Sequence, residues 1–157
     1  MVEFRIATND DIELLMSSRL EMLKVVNNLP KDYEYTDEII NESRDYFLNG
    51  DQVTVLALDG DVVAGCASMS FMRIMPTFSH PTGKRAHLMN VYTRSEYRRQ
   101  GIAREMVNML IDETWKRGAT EISLDATKAG RPLYERMGFT DSAEGMVLVN
   151  PAVLKAQ

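Results

Sequence analysis

The sequence predicts an α/β fold in which a mixed β-sheet packs against helices. Strand-like and helix-like segments alternate in the second half of the chain, and this order implies a crossover unit in a mixed sheet. Two strand-like runs in the middle, QVTVLAL and VVAGCASMSF, are separated only by Asp59, Gly60 and Asp61, so they predict a hairpin. The chain has 157 residues, 45% of them hydrophobic, which suits one globular domain with a sizeable core.

The first half of the chain is predicted to begin with a strand and two helices. Residues 3–7 predict the strand, and Thr8 can cap a helix over residues 9–23. Thr36 is a second cap, for a helix that we expect to end near Gly50. The first helix carries, at helical spacing, Ile12, Leu15, Met16, Arg19, Leu20 and Leu23.

The second half follows the hairpin with strands and helices in turn. Residues 86–93 predict a strand, which leads through an arginine-rich turn to a helix over residues 101–116. The segment EISLDA predicts the next strand, and residues 130–137 predict a short helix. Phe139 onward, with Met146 to Val149, predicts a terminal hairpin.

The charge balance argues against broad nucleic-acid binding. Lysine and arginine number 18 against 23 acidic residues, for a net charge of −5. Residues 31–45 hold two cations and six anions, whereas residues 94–104 hold four arginines and one glutamate. The first segment could attract a cation and the second an anion, but two solvated faces would give the same pattern.

Cysteine and histidine are too few for a disulfide framework or a zinc cluster. Cys66 is the single cysteine, and we expect it to be a small buried hydrophobe in a protein of a reducing compartment. The two histidines have no metal-ligand spacing, so no metal site is predicted. The first residues lack a signal-peptide pattern, and no apolar run of about 18 residues occurs. We therefore expect a cytoplasmic protein without a membrane partner.

The most informative segment is the turn Arg98, Arg99, Gln100, Gly101, Ile102, Ala103, between a predicted strand and a predicted helix. Helix starts leave several backbone N–H groups without partners and carry about half a positive charge, so they bind phosphate readily. The missing Cβ of Gly101 permits a ligand to approach the backbone. A plain helix start on an arginine-rich surface would fit these residues as well.

Two motifs resolve this choice by resemblance. The segment YTRSEYRRQGIAREMV resembles the signature motif of the GNAT superfamily of N-acyltransferases, with Arg98, Gly101 and Ala103 in the motif positions. About thirty residues later, PLYERMGF is similar to a second conserved segment of the same superfamily. The order of predicted elements also matches along the whole chain, so residues 1–157 resemble a single GNAT domain.

The resemblance implies a mixed, mostly antiparallel central sheet with helices on both faces. Two neighbouring central strands splay apart, and acetyl-CoA lies in the gap as co-substrate. By position, backbone N–H groups from Arg99 to Arg104 would hold the pyrophosphate. Thr127 stands where the family often has Asn, and it can still bind a pantetheine amide. The implied coenzyme-binding residues are Val91, Tyr92, Thr93, Arg98, Arg99, Gln100, Gly101, Ile102, Ala103, Arg104 and Thr127.

The resemblance also implies direct transfer of the acetyl group in a ternary complex. Tyr134 would donate a proton to the departing sulfur, since a phenol with a pKa of about 10 is protonated at neutral pH. A backbone N–H at a bulge near Val91 would stabilise the oxyanion. For the base, Asn90 or Tyr92 could order a water and Asp125 could face the site, while bulk water is a competing acceptor of the proton.

The acceptor is predicted to be a primary amine of a small molecule. In this architecture the two helices after the first strand wall the acceptor site, and Tyr33 and Tyr35 lie in their acidic connection, where they could stack on a cation. Alternatives are a peptide or protein N-terminus as acceptor, a catalytically silent acyl-CoA-binding module, and an interaction domain that binds no coenzyme. The oligomeric state is open, with a homodimer as one option.

Overall fold

A computed structural model describes residues 1–142 and 144–155 of the chain. These residues form two compact units, one over residues 1–125 and one from residue 126 onward. The first unit contains the sheet and the three long helices, and the second contains two short helices. A single domain over residues 1–157 remains a prediction.

The sheet of the first unit has five strands in sequential order. Neighbours among the first four strands are antiparallel, and the fourth and fifth are parallel. The sheet is therefore mixed and mostly antiparallel, which confirms the predicted fold class. The strands are β1 (Glu3–Ile6), β2 (Gln52–Asp59), β3 (Val62–Arg73), β4 (Lys84–Thr93) and β5 (Ile122–Leu124).

Three helices accompany this sheet, α1 (Ile12–Val26), α2 (Asp37–Asn49) and α3 (Ile102–Lys116). Thr36 caps α2 as predicted, because its Oγ1 accepts the N–H of Ile39 at 3.4 Å. The connection between β1 and α1 is a single 3-10 turn rather than the first turn of α1.

The helices cover both faces of the sheet. Adjacent residues of a strand point to opposite faces of the sheet. The neighbours of Cys66 and Gly65 in β3 therefore show which helices cover each face. Cys66 packs in a buried cluster with Leu15 and Met16 of α1. A Cβ built on Gly65 would lie 3.1 Å from the side chain of Met106 in α3. Thus α1 and α2 cover one face, and α3 covers the other.

Strands β4 and β5 pair over only three residues. Their last pair is Leu88 with Leu124, and β4 then continues to Thr93 with no partner on that edge among the described residues. This open edge of β4 agrees with the splay that the resemblance implies.

The second unit contains α4 (Arg131–Arg136) and α5 (Pro151–Lys155). Helix α4 confirms the predicted short helix over residues 130–137, but the predicted terminal hairpin is wrong for the described residues, which form no strand after β5. The apolar run from Met146 to Leu148 suggested a strand, yet these side chains are 94–98% exposed. A strand needs a paired neighbour as well as apolar residues, and no described residue pairs with this run. Residue 143 of the predicted hairpin lies outside the described residues.

Candidate active site

The predicted phosphate turn at the start of α3 has two residues in the left-handed region. Arg99 has φ 63° and Gly101, the residue before the helix, has φ 75°. A left-handed residue followed by right-handed helical residues turns successive N–H groups toward one side, and such concave backbones bind anions. The local backbone is therefore shaped as the sequence predicts for an anion site.

The N–H groups of this turn are free to bind a ligand. Among the described residues, the N–H groups from Arg99 to Arg104 meet no protein acceptor, and no side chain caps the helix. The first helical bond of α3 is made by Glu105, whose N–H donates to the carbonyl of Gly101 at 3.1 Å. The helix dipole adds partial positive charge at the same place, so an anion would satisfy several donors at once.

Gly101 leaves the approach to these donors open. A Cβ built at this position would meet no atom within 4 Å. The space beside Gly101 is thus available to a ligand, and the positive φ is the reason why glycine suits this position better than other residues.

The edge of β4 beyond Leu88 presents its main chain. The N–H of Arg94 donates to Ala64 on the β3 side at 2.9 Å. Because successive residues of a strand face opposite edges, Thr93 and Val91 turn their backbone groups to the open edge. The carbonyl of Thr93 accepts a bond there from Nε of Arg98 at 3.2 Å. Backbone groups are therefore available where the resemblance implies pairing with a pantetheine arm.

A β-bulge interrupts β4 just before this edge. Cys66 pairs with Tyr92, and Ser68 pairs with Met89. The two pairs are therefore two residues apart in β3 but three residues apart in β4. The extra residue bends the strand and leaves a backbone group unpaired. Asn90, at the bulge, has φ 58°, a conformation that asparagine tolerates better than most residues. The bulge that the resemblance implied near Val91 is confirmed.

A cavity of about 510 Å³ lies beside the bulge, within the first unit. It is bounded by α1, α2 and the central strands, and its size is typical of small-molecule sites, which measure roughly 300–1,000 Å³. Its polar lining includes Arg19 of α1, Glu42 and Asp45 of α2, Ser68 of β3 and Asn90 of β4. Apolar contact area comes from Phe47 and Met89.

A chain of hydrogen bonds joins the cavity to the bulge. Arg19 Nη1 donates to Asn90 Oδ1 at 3.2 Å, and Asn90 Nδ2 donates to Ser68 Oγ at 3.2 Å. The Ser68 hydroxyl is 2.7 Å from that of Thr54, which donates to Gln52 at 2.7 Å. Each side-chain amide and hydroxyl group in this series of hydrogen bonds has a partner. The Asn90 side chain is therefore held in place.

Tyr92 lies directly after the bulge on the α1 side of the sheet and packs against the buried cluster there. Burial, reinforced by the Glu21 carboxylate, raises the pKa of Tyr92 to about 12. Glu21 is also bound to Arg94 through two bonds of 2.9 Å. Tyr92 is therefore protonated at neutral pH, so it can orient a water but cannot act as the base.

The two tyrosines predicted at the acceptor site lie in the connection between α1 and α2. Their rings form an edge-to-face pair with centroids 5.3 Å apart, and the Tyr35 hydroxyl donates to the carbonyl of Leu20. Neither is among the residues that line the 510 Å³ cavity in the described chain. The structure thus places Tyr35 against α1 and Tyr33 against the Tyr35 ring, and their contact with an acceptor remains a prediction.

Asp125 follows β5 directly, with a fully exposed side chain. Its Oδ2 lies 3.7 Å from Nε2 of His87, and Nδ1 of His87 is 2.7 Å from the Ser123 hydroxyl. The structure therefore groups Asp125 with a histidine of β4. Its role as a base is untested.

Within the second unit, Thr127 and Tyr134 lie on either side of Gly130. A Cβ at Gly130 would be 3.2 Å from both Thr127 Oγ1 and the Tyr134 ring, which explains glycine at this position. The N–H of Gly130 donates to Thr127 Oγ1 at 3.0 Å. Tyr134 packs edge-to-face on Phe139, and burial raises its pKa, so its phenol keeps the proton that the predicted role requires.

Cys66 is a buried hydrophobe, as predicted. Its side chain is 1% exposed, and burial raises the pKa of the thiol to about 12, which excludes a thiolate at neutral pH. Within the described residues, no three His, Cys, Asp or Glu side chains form a metal-binding group, and no helix is long and apolar enough to cross a membrane.

Sequence reasoning missed Arg19, Glu42, Asp45 and Ser68 as site residues. Arg19 did carry a signal, because it is the one charged residue in the apolar stripe of the first helix. Glu42 and Asp45 had none, since acidic residues on an exposed helix face are common.

Comparison with known proteins agrees with this geometry. Residues 20–139 match the model of the acetyltransferase (GNAT) family. The crystal structure of an acetyltransferase from Clostridium acetobutylicum, determined with acetyl-CoA, is 31% identical in sequence with a TM-score of 0.83. That similarity covers 95% of this chain and 96% of the other.

Two curated relatives match over shorter segments. The uncharacterized N-acetyltransferase YitH of Bacillus subtilis is 49% identical over 49 residues, which are 31% of this chain and 17% of that protein. The Escherichia coli ribosomal protein bS18-alanine N-acetyltransferase is 37% identical over 60 residues, which are 36% of this chain and 40% of that protein. The matches thus span less than half the length of these two relatives.

Proposed function

Because the chain belongs to the GNAT family of acetyltransferases, we propose that it transfers an acetyl group from acetyl-CoA to a primary amine of a small molecule. The observation that carries this proposal is the start of α3, where the N–H groups from Arg99 to Arg104 have no acceptor among the described residues and Gly101 leaves the approach to them open. A diphosphate is the part of acetyl-CoA that fits such donors.

The remaining coenzyme contacts follow from the same proposal. Val91 and Thr93 would pair through their main chain with the pantetheine arm, as an added strand pairs with a sheet edge. Thr127 would bind one of the pantetheine amides. Arg98, Gln100 and Arg104 are exposed beside the turn and would contribute mainly long-range attraction and contacts to phosphate oxygens.

The proposed chemistry is a direct attack of the neutral amine on the thioester. The bulge at Asn90 and Val91 would offer a backbone N–H to the oxygen that becomes negatively charged, and such donors are effective because they are already oriented. Tyr134 would protonate the departing thiolate. Asn90 or Tyr92 would order the water that removes the amine proton, and Asp125 is the one carboxylate among the predicted residues that could act as the base.

The cavity favours a small acceptor. Its walls come from α1, α2, β3 and β4, and its volume suits a compact molecule. The second candidate is the N-terminus of a protein, favoured by the bS18-alanine N-acetyltransferase among the relatives.

Two measurements test the proposal. Acetyl-CoA at 100 times its dissociation constant should stabilise the protein by about 2.7 kcal/mol in a thermal melt. Release of free thiol should then be followed with a panel of small amines and peptides. No stabilisation by acetyl-CoA would contradict any coenzyme-dependent function. Stabilisation without thiol release from any acceptor would favour a silent acyl-CoA-binding module.

A further inference from the structure

Arg19 is a half-buried cation with no carboxylate within 4 Å among the described residues. Among the described residues, every other arginine that is not solvent-exposed has a carboxylate within 4 Å: Arg44 with Glu13, Arg85 with Glu121, and Arg94 with Glu21. Arg19 lines the 510 Å³ cavity and has no such partner in the part of the chain that the structure describes.

The partner that Arg19 does have is neutral. One Nη donates to the amide oxygen of Asn90 at 3.2 Å, so most of its five donors are unused by the described side chains. Withdrawing a cation from water is costly unless it is paired with an anion. The fork of a guanidinium matches a planar carboxylate with two parallel bonds. Arg19 is therefore available to form an ion pair, and an anionic ligand bound in the cavity would supply its partner.

The position of Arg19 limits how far this anion can be from the reacting amine. Arg19 contacts the side chain of Asn90, and Asn90 forms the bulge of β4. On the proposed function, on which this inference rests, the acetyl group is attacked beside that bulge. An acceptor must then present its amine and its anion within a few ångströms of each other. An amino group and a carboxylate on the same or adjacent carbon atoms meet this requirement.

The rest of the cavity can hold a side chain. Phe47 and Met89 offer apolar surface, while Glu42 and Asp45 of α2 also line the cavity. The two carboxylates would repel a second acidic group and accept a polar or cationic one.

We propose that the acceptor is a free amino acid, whose carboxylate is bound by Arg19 while its amino group is acetylated at the bulge of β4. A peptide N-terminus does not meet this requirement, because the group beside its amine is a neutral amide.

The experiment compares each amino acid with its own amide and with its decarboxylated amine, and it includes short peptides. Thiol release is measured at saturating acetyl-CoA for the wild type, Arg19→Gln and Arg19→Lys. Arg73→Gln is the matched control, since Arg73 is exposed, lies outside the cavity and bonds to the carbonyl of Thr82. Stabilisation of each variant by acetyl-CoA shows whether it is folded with a working coenzyme site.

At least one amino acid should be acetylated with kcat/KM about tenfold or more above that of its amide, because the amide leaves the cation unpaired. Arg19→Gln should raise KM for that amino acid and abolish the preference for acid over amide, with Arg19→Lys intermediate. Arg73→Gln should retain both.

Three results would overturn the inference. The first is equal or better use of amides, decarboxylated amines or peptides by the wild type. The second is a preference for the acid that survives in Arg19→Gln. The third is no acetylation of any amino acid by a protein that acetyl-CoA stabilises, and in that case coenzyme binding itself would still stand. Failure of acetyl-CoA to stabilise the wild type would instead contradict the proposed function.

Discussion

Replacement of Gly101 by alanine should have two effects that can be measured separately, a loss of folding stability and a loss of affinity for acetyl-CoA. A Cβ at Gly101 has open space in the protein alone, so the cost to folding comes from the φ of 75°. A left-handed non-glycine residue costs about 1–2 kcal/mol. For a chain of this size, 1 kcal/mol lowers Tm by about 2–4 °C, so we expect Gly101→Ala to lower it by roughly 2–8 °C.

The effect on acetyl-CoA should be larger than this strain. The wild type at 100 times Kd gains about 2.7 kcal/mol, or roughly 5–11 °C in Tm. In Gly101→Ala the new methyl group occupies the space through which a diphosphate would reach the N–H groups of the turn. We expect the affinity to fall about tenfold or more, which removes about 1.4 kcal/mol or more of the binding free energy.

Gly60→Ala is the matched control. Gly60 also has a positive φ, of 61°, and a Cβ there would also meet no atom within 4 Å, but it lies in the turn between β2 and β3. Thermal melts of both variants, with and without acetyl-CoA, should show similar destabilisation and a full coenzyme shift only for Gly60→Ala. The same coenzyme shift in both variants would refute the placement of the diphosphate at Gly101.

Three further outcomes follow from other residues. Tyr134→Phe should keep the stabilisation by acetyl-CoA but lower kcat. Because burial raises the pKa of Tyr134, the kcat of the wild type should stay constant as the pH approaches 10. Equal kcat values for the two enzymes would exclude a proton-donor role. Bonds from Arg5 lower the pKa of Asp11 to about 2 from 3.8, so this pair stabilises the fold above pH 4 and loses its effect as the pH falls from about 4 to 2. Because Arg5 is exposed, Arg5→Gln should cost only about 1 kcal/mol at pH 7, and this cost should shrink as the pH falls toward 2, as measured by denaturant titration. Iodoacetamide should leave Cys66 unmodified in the folded protein and alkylate it in urea, as followed by mass spectrometry; rapid alkylation of the native protein would contradict its burial.

The sequence predicted those features that depend on neighbouring residues. Thr36 at the start of α2, the hairpin turn around Gly60 and the glycine before α3 each follow from local backbone preferences. The phosphate turn could be located for the same reason, since the residues that form it are adjacent in the chain.

Features that depend on distant residues could not be predicted in this way. The bulge at Asn90 requires the register between β3 and β4, and the cavity requires α1 and α2 to lie over both strands. Tyr33 and Tyr35 looked like acceptor residues because of their acidic neighbours, but the bond from Tyr35 to Leu20 of α1 is a tertiary contact. The wrong terminal hairpin has the same origin, because residues 146–148 have the composition of a strand without a partner strand.

The bulge in β4 also fixes how many residues that strand can contain. Residues that pair across β3 and β4 point to the same face of the sheet. His87, Met89 and Tyr92 therefore all point to the face that α1 and α2 cover, at intervals of two and then three residues. Removing the additional residue would invert every side chain downstream and send Tyr92 toward α3. Insertions and deletions in β4 should therefore be selected against during evolution, even where the exposed side chains themselves can vary freely.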